Sequence, residues 1–111
     1  MFIAIVQLPG VARSKEEAIT SGLASSSKFT GMDGLNTKYY LNGEAGGGGV
    51  YIWESREKAE AFYTEDWYPA MEKIFGVRPV VTFYDNYVVV DNEAGEVRVE
   101  GEAVDPGEAA A

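Results

Sequence analysis

Apolar and polar residues along this chain follow two rhythms, and the changes between them mark its elements. Phe2 to Leu8 is a short, mostly apolar run closed by Pro9-Gly10, the pattern of a buried strand. Ser14-Lys15-Glu16-Glu17 then has the form of a capping box, in which Ser14 accepts from the Glu17 amide and Glu17 reaches back. The helix that it opens carries Ile19 and Leu23 on one face and weakens towards Ser26 and Ser27. Gly22 and three consecutive serines give it low intrinsic propensity, so tertiary contacts must hold it. The loop Gly31-Met32-Asp33-Gly34 leads into Gly34 to Ser55, which reads as a β-hairpin. Leu35 to Leu41 is rich in Tyr, Asn42-Gly43 is a turn signal, and Gly46 to Gly49 reads as a flexible reversing loop. Val50 to Trp53 is the second strand.

Beyond the hairpin the period returns to that of a helix. Ser55 is an N-cap, and Ala59, Phe62 and Tyr63 recur at i, i+3 and i+4. Thr64 to Asp66 breaks this pattern. Pro69 fits the first turn of a further helix, where a missing amide hydrogen does no harm, with Asp66 as its cap. Trp67, Met71 and Ile74 supply its apolar face and Gly76 its left-handed end. Val80 to Val90 reads as one last strand, ending at Asp91-Asn92. The order β-α-β-β-α-β, with the second α split in two, predicts a ferredoxin-like α+β fold with helices on one face of an antiparallel sheet. The other sheet face is too apolar for solvent, which predicts a homodimer closed by a second copy of the same sheet.

Length and charge refine this picture. The chain has 111 residues, 46% of them hydrophobic, which suits one domain with a true core. The formal net charge is −9. After Asn92 come Glu93, Glu96, Glu100, Glu102, Asp105 and Glu108 against the single base Arg98, which predicts a domain over residues 1–92 and an acidic C-terminal tail over 93–111. A solvated tail is the simplest form of that segment, although Glu96-Val97-Arg98-Val99-Glu100 alternates like a short edge strand. The acidic balance argues against a nucleic-acid partner. No apolar run reaches the ~20 residues of a membrane-spanning helix, and the first residues lack a basic leader, so no membrane association and a cytoplasmic location are expected. There is no Cys and no His. Thiolate chemistry, zinc, two-His iron sites and His-ligated haem are therefore excluded, and no loop has the ligand spacing for Mg²⁺ or Ca²⁺. No metal or cofactor is expected.

Strand alternation points to the chemistry. It places Asn36, Lys38 and Tyr40 on one face and Leu35, Thr37, Tyr39 and Leu41 on the other; on the second strand Tyr51 and Trp53 oppose Val50 and Ile52. A face that carries an amide, an ammonium, phenols and an indole is a candidate site. Each of these residues also has a simpler role. Trp53 and Tyr51 fit a core or an interface, and Lys38 fits a solvated edge lysine or a partner for Glu54. The glycine run has no following helix or Lys to make a phosphate-binding loop, and the three serines have no His to activate them.

The element order, together with Gly34-Leu35-x-x-Lys38-x-Tyr40, Gly48-Gly49-Val50-Tyr51-Ile52-Trp53 and Val80-Val81-x-x-x-Tyr84-Asp85, resembles the small mono-oxygenases of the dimeric α+β barrel superfamily. The wider group includes the antibiotic-biosynthesis monooxygenases, in which Trp53-Glu54-Ser55 is similar to a Trp-Glu-Ser segment at the same strand end. The resemblance spans roughly Met1 to Asn92. It implies a homodimer with one pocket per subunit between sheet and helices. It further implies oxidation of a small phenolic or quinol-like aromatic by O₂ without metal or flavin. Lys38 and Trp53 would be catalytic, with Asn36, Tyr40 and Tyr51 binding the substrate. Such chemistry needs a group that removes a proton and stabilises the resulting anion, away from water, which Lys38 among aromatic rings could supply. The superfamily also contains isomerases, so a proton-transfer isomerase or cyclase, and a non-catalytic barrel binding an apolar small molecule, are the alternatives.

Overall fold

A computed structural model describes residues 1–107. The first part of the chain comprises β1 (Phe2–Pro9), α1 (Lys15–Phe29), β2 (Leu35–Gly43), β3 (Gly46–Trp53), α2 (Arg56–Phe62), α3 (Trp67–Phe75) and β4 (Val80–Asp85). It is an α+β body whose four strands lie in the order β2-β3-β1-β4 with every neighbouring pair antiparallel, compatible with a ferredoxin-like arrangement. β1 is central, and its burial alternates: Phe2, Ala4, Val6 and Leu8 point inward, whereas Ile3 and Ile5 point out. No helix among the described residues is long and apolar enough to cross a membrane.

The core is aromatic. Phe2, Ala4 and Val6 of β1 meet Tyr51 and Trp53 of β3, with Ala59 and Tyr63 from α2 and its C-terminal end closing over them. Tyr63 meets Trp53, Trp67 and Phe83 edge-on, with ring centroids 5.9, 5.1 and 5.6 Å away. Edge-to-face pairs of this kind place ring hydrogens on π faces and add to the stabilisation from burial alone.

The caps largely follow the sequence reading. Ser14 Oγ accepts from Glu17 N at 3.1 Å while Glu17 Oε1 accepts from Ser14 N at 2.9 Å, and these bonds hold the Glu17 carboxyl below its usual range. Ser55 Oγ accepts from Lys58 N, and Gly76 ends α3 at φ 78°. Asp66 occupies the cap position of α3, but its side chain makes no capping bond. The inward face of α1 differs from the expectation. Ile19 and Leu23 are exposed, and Ala18, Gly22, Ser25 and Phe29 face the sheet. A Cβ on Gly22 would stand 3.8 Å from the Tyr40 ring, so small residues set this approach, and counting apolar residues selects the wrong side.

Three strand assignments also need correction. The hairpin reverses at Glu44-Ala45, and Gly46 to Gly49 belong to β3, paired with β1 on one side and β2 on the other. A bulge at Asn36 shifts the β2 register, so that Leu35 opposes Trp53 while Lys38 opposes Tyr51. Leu35 therefore takes the inward face and Asn36 leaves it. Finally, Val80 to Val90 is not one strand. Asn86 N donates to Met1 O at 2.9 Å, which ends the ladder with β1, and Tyr87 O accepts from Glu100 N to open a second sheet.

That second sheet contains β5 (Val88–Asp91), β6 (Glu96–Val99) and β7 (Glu102–Val104), all antiparallel. Residue 92 lies in the turn between β5 and β6, and the stretch expected as a solvated tail supplies two strands. Arg98 ties β6 to β5, donating to Glu96 Oε1 at 2.7 Å and Asp91 Oδ2 at 3.1 Å. The last part of the expected tail, residues 108–111, lies outside the described residues.

Candidate functional site

A cavity of about 380 Å³ lies between the inner face of the sheet, α1 and α3. This falls within the range of small-molecule sites, near its lower end. Val6 and Leu8 form its floor with Tyr51, Lys38 and Tyr40 enter from β2, Ser21, Gly22, Ser25 and Phe29 cover it from α1, and Trp67, Met71 and Phe75 close it from α3.

Lys38 is its distinctive group. The Nζ atom sits 3.5 Å from the centroid of the Phe29 ring, 4.0 Å from that of Tyr40 and 4.7 Å from that of Tyr51. No salt bridge reaches it among the described residues, so the suggested pairing with Glu54 does not form. Burial, with the positive charge of Lys28 adding to it, holds the Lys38 pKa down to about 8. The ring faces attract the ammonium while excluding the water that would otherwise solvate it. Its stem has room because residue 49 is glycine: a Cβ there would stand 3.0 Å from Tyr51 Cε1 and 3.4 Å from Lys38 Cε.

Burial, then Tyr40, raises the Tyr51 pKa, so its phenol stays protonated across the neutral range. Tyr40 Oη lies 2.9 Å from Ser25 Oγ, which anchors β2 to α1 across the cavity mouth.

Of the five residues selected from the sequence, the fold brings together Lys38, Tyr40 and Tyr51. Asn36 is displaced by the bulge: its Oδ1 accepts from Thr37 Oγ1 at 2.7 Å, and it borders a separate depression with Met1, Glu54 and Gly101. Trp53 is 1% exposed and does not line the cavity. It lies parallel to Tyr51, and its Nε1 donates to Tyr63 Oη at 3.2 Å. This is the wall behind the site. Sequence reasoning passed over Arg13, Lys28 and Ser25 as site residues, although the small residues Gly22 and Ser25, one turn apart, signal a close approach of α1. Nothing in the local pattern singles out Arg13 or Lys28.

An amine with a pKa of about 8, in a largely apolar cavity with no carboxylate in its wall among the described residues, can take a proton from a weakly acidic ligand. It can then hold the anion that forms. A scan against protein-family models and a search of curated proteins both return no match for this chain, so the reading of the site rests on its own chemistry.

Proposed function

We propose that the protein is a cofactor-independent monooxygenase acting on a small aromatic whose phenolic or anthrone-like form ionises readily. The observation that carries this reading is the Lys38 amine, caged by Phe29, Tyr40 and Tyr51 with its pKa lowered to about 8. In its neutral form Lys38 removes the acidic proton, and as an ammonium it then stabilises the electron-rich anion. Such an anion reduces O₂ directly. For a ring CH₂ the sequence ends in C=O plus water, with one oxygen atom in each and both hydrogens in the water. Tyr51, held protonated, donates towards the substrate oxygen. Trp53 supports the ring of Tyr51 from behind.

Because the base is the neutral amine, kcat/KM should rise with pH through about 8 and level off above it. Lys38→Ala should lower kcat/KM by about 100-fold or more. Oxygen uptake with a panel of anthrones and hydroquinones checks both. Uptake that Lys38→Ala leaves unchanged, or a flat pH profile, would return the cavity to a purely binding role.

The ferredoxin-like subunit and a dimeric barrel belong to the same proposal. The register places Ile3, Ile5, Thr37, Tyr39, Val50, Ile52, Val80, Thr82 and Tyr84 on the outer sheet face, a charge-free set in a chain of net charge −9. Tyr39 and Tyr84 are 59% and 51% exposed there, as suits a face that meets a second copy. The wild-type protein should have twice the chain mass in light scattering, and Ile52→Asp should reduce it to the monomer with its helical circular dichroism intact. A monomeric wild type would remove the barrel from the proposal.

A further inference from the structure

We propose that the cavity selects an aromatic ligand that also carries a permanent negative charge, an aryl carboxylate, with Arg13 and Lys28 receiving the carboxylate and Lys38 facing the ring oxygen. This rests on the cavity being the ligand site of the proposed function, and not on oxygen being the co-substrate.

The charge distribution carries the argument. The chain has 18 acidic and nine basic residues, yet among the described residues the cavity is lined by three bases, Arg13, Lys28 and Lys38, and by no acid. None of the three has an ion-pair partner among the described residues, whereas Arg56, Lys58 and Arg98 are paired. Each rests on an aromatic ring. Arg13 Cζ is 5.5 Å from the centroid of Phe75, and Lys28 Nζ and Lys38 Nζ are 5.8 and 3.5 Å from that of Phe29. Two ammonium groups against one ring repel each other, and the charge of Lys28 adds to the lowering of the Lys38 pKa. A ligand that brings a carboxylate to Lys28 offsets that repulsion.

The backbone that carries Arg13 is also fixed in place. Asn42 Nδ2 donates to its carbonyl at 3.1 Å, and the residue after it, Ser14, caps α1. Glu17 feels the Arg13 charge, but its carboxyl is committed to the Ser14 amide. The guanidinium therefore keeps its fork of donors for a ligand, and a planar fork matches a carboxylate with two parallel bonds. Lys28 is exposed and adds a further positive charge. In an acidic protein a local cationic concavity concentrates anions and steers their entry. The cavity volume of about 380 Å³ suits a ligand of a few fused rings.

Isothermal titration calorimetry at pH 7 with 2-naphthol, 2-naphthoate and 3-hydroxy-2-naphthoate tests the inference. The hydroxy acid should bind about tenfold or more tightly than the naphthol, with an advantage that shrinks as salt rises. Arg13→Gln and Lys28→Gln should each remove most of that advantage, measured as the ratio of hydroxy-acid to naphthol affinity within each variant. Circular dichroism melts check the fold of both variants, and Lys28, being exposed, tests the idea even if Arg13→Gln is unstable. Equal affinity for naphthol and hydroxy acid, an advantage indifferent to both variants, or binding of none of the three would overturn the proposal. Charge-dependent binding of the hydroxy acid without any Lys38-dependent oxygen uptake would uphold it while removing the reaction. Oxidation of a neutral anthrone with no gain from a carboxylate would do the reverse.

Discussion

Trp53→Ala is expected to lower the free energy of unfolding by about 4 kcal/mol, the middle of the range for emptying a buried large aromatic site. Net stabilities of domains this size are only about 5–15 kcal/mol, so this loss should lower the melting temperature steeply. The indole is 1% exposed, lies parallel to the Tyr51 ring and meets Phe62 and Tyr63. Its loss opens a cavity in a core cluster that includes Ala4 and Ala59, residues too small to fill it. It also strips Tyr63 Oη of the indole hydrogen bond, leaving a buried phenol with one partner fewer. Trp53→Phe separates structure from chemistry. It keeps most of the volume, so the fold should survive, and because the indole does not line the cavity, oxygen uptake should stay close to that of the wild type. Thermal melts and uptake assays on the two variants decide the matter. A well-folded Trp53→Phe without turnover would return the indole to the chemistry.

What the sequence revealed, and what it hid, follows the range of the forces involved. Caps depend on three or four neighbouring residues, so Ser14 with Glu17, Ser55 and Gly76 could be read directly. That Phe2 to Leu8 is a strand was equally legible as a short apolar run, but which alternate residues of it point inward was not, because both faces are largely apolar. Nor was the bulge at Asn36, because nothing in Leu35-Asn36-Thr37 marks which residue the opposing strand will skip. One unpaired residue reverses the facing of everything before it, which is why Lys38, Tyr40 and Tyr51 stayed together while Asn36 was lost from the group. The break at Asn86-Tyr87 depends on Met1 and on Glu100, partners at opposite ends of the chain. The face of α1 was misread for another reason: its contact with the sheet relies on glycine and serine, which hydrophobic periodicity does not count. Arg13 and Lys28 meet Lys38 only through tertiary folding, so the cationic character of the cavity cannot be seen in an acidic sequence.

Gly48→Ala should destabilise the protein by about 3 kcal/mol, with a fall in Tm of roughly 15 °C for a chain of this size. Alanine in place of glycine usually stabilises by restricting the unfolded chain, so the sign here is diagnostic. Gly48 has φ 148°, a backbone conformation that L side chains rarely adopt, and a Cβ there would run into the Val6 carbonyl oxygen of β1. Gly46, at φ 140°, faces Leu8 O in the same way. The two alternate along β3 where it lies between β1 and β2, so neither can relax outward without breaking a ladder. A flexible loop would behave differently: alanine there would change the Tm by a degree or two in either direction. Differential scanning calorimetry of Gly48→Ala against Gly10→Ala provides the contrast. Gly10 also has positive φ, at 77°, but a Cβ on it would meet nothing within 4 Å, so only backbone strain should register. If the two variants melt together, steric crowding at β1 is not what the glycine run relieves. A much larger loss at Gly48 would show that the close approach of β3 to β1 requires glycine. That approach fixes the strand whose next residues, Gly49 and Tyr51, accommodate the stem of Lys38 and face its ammonium.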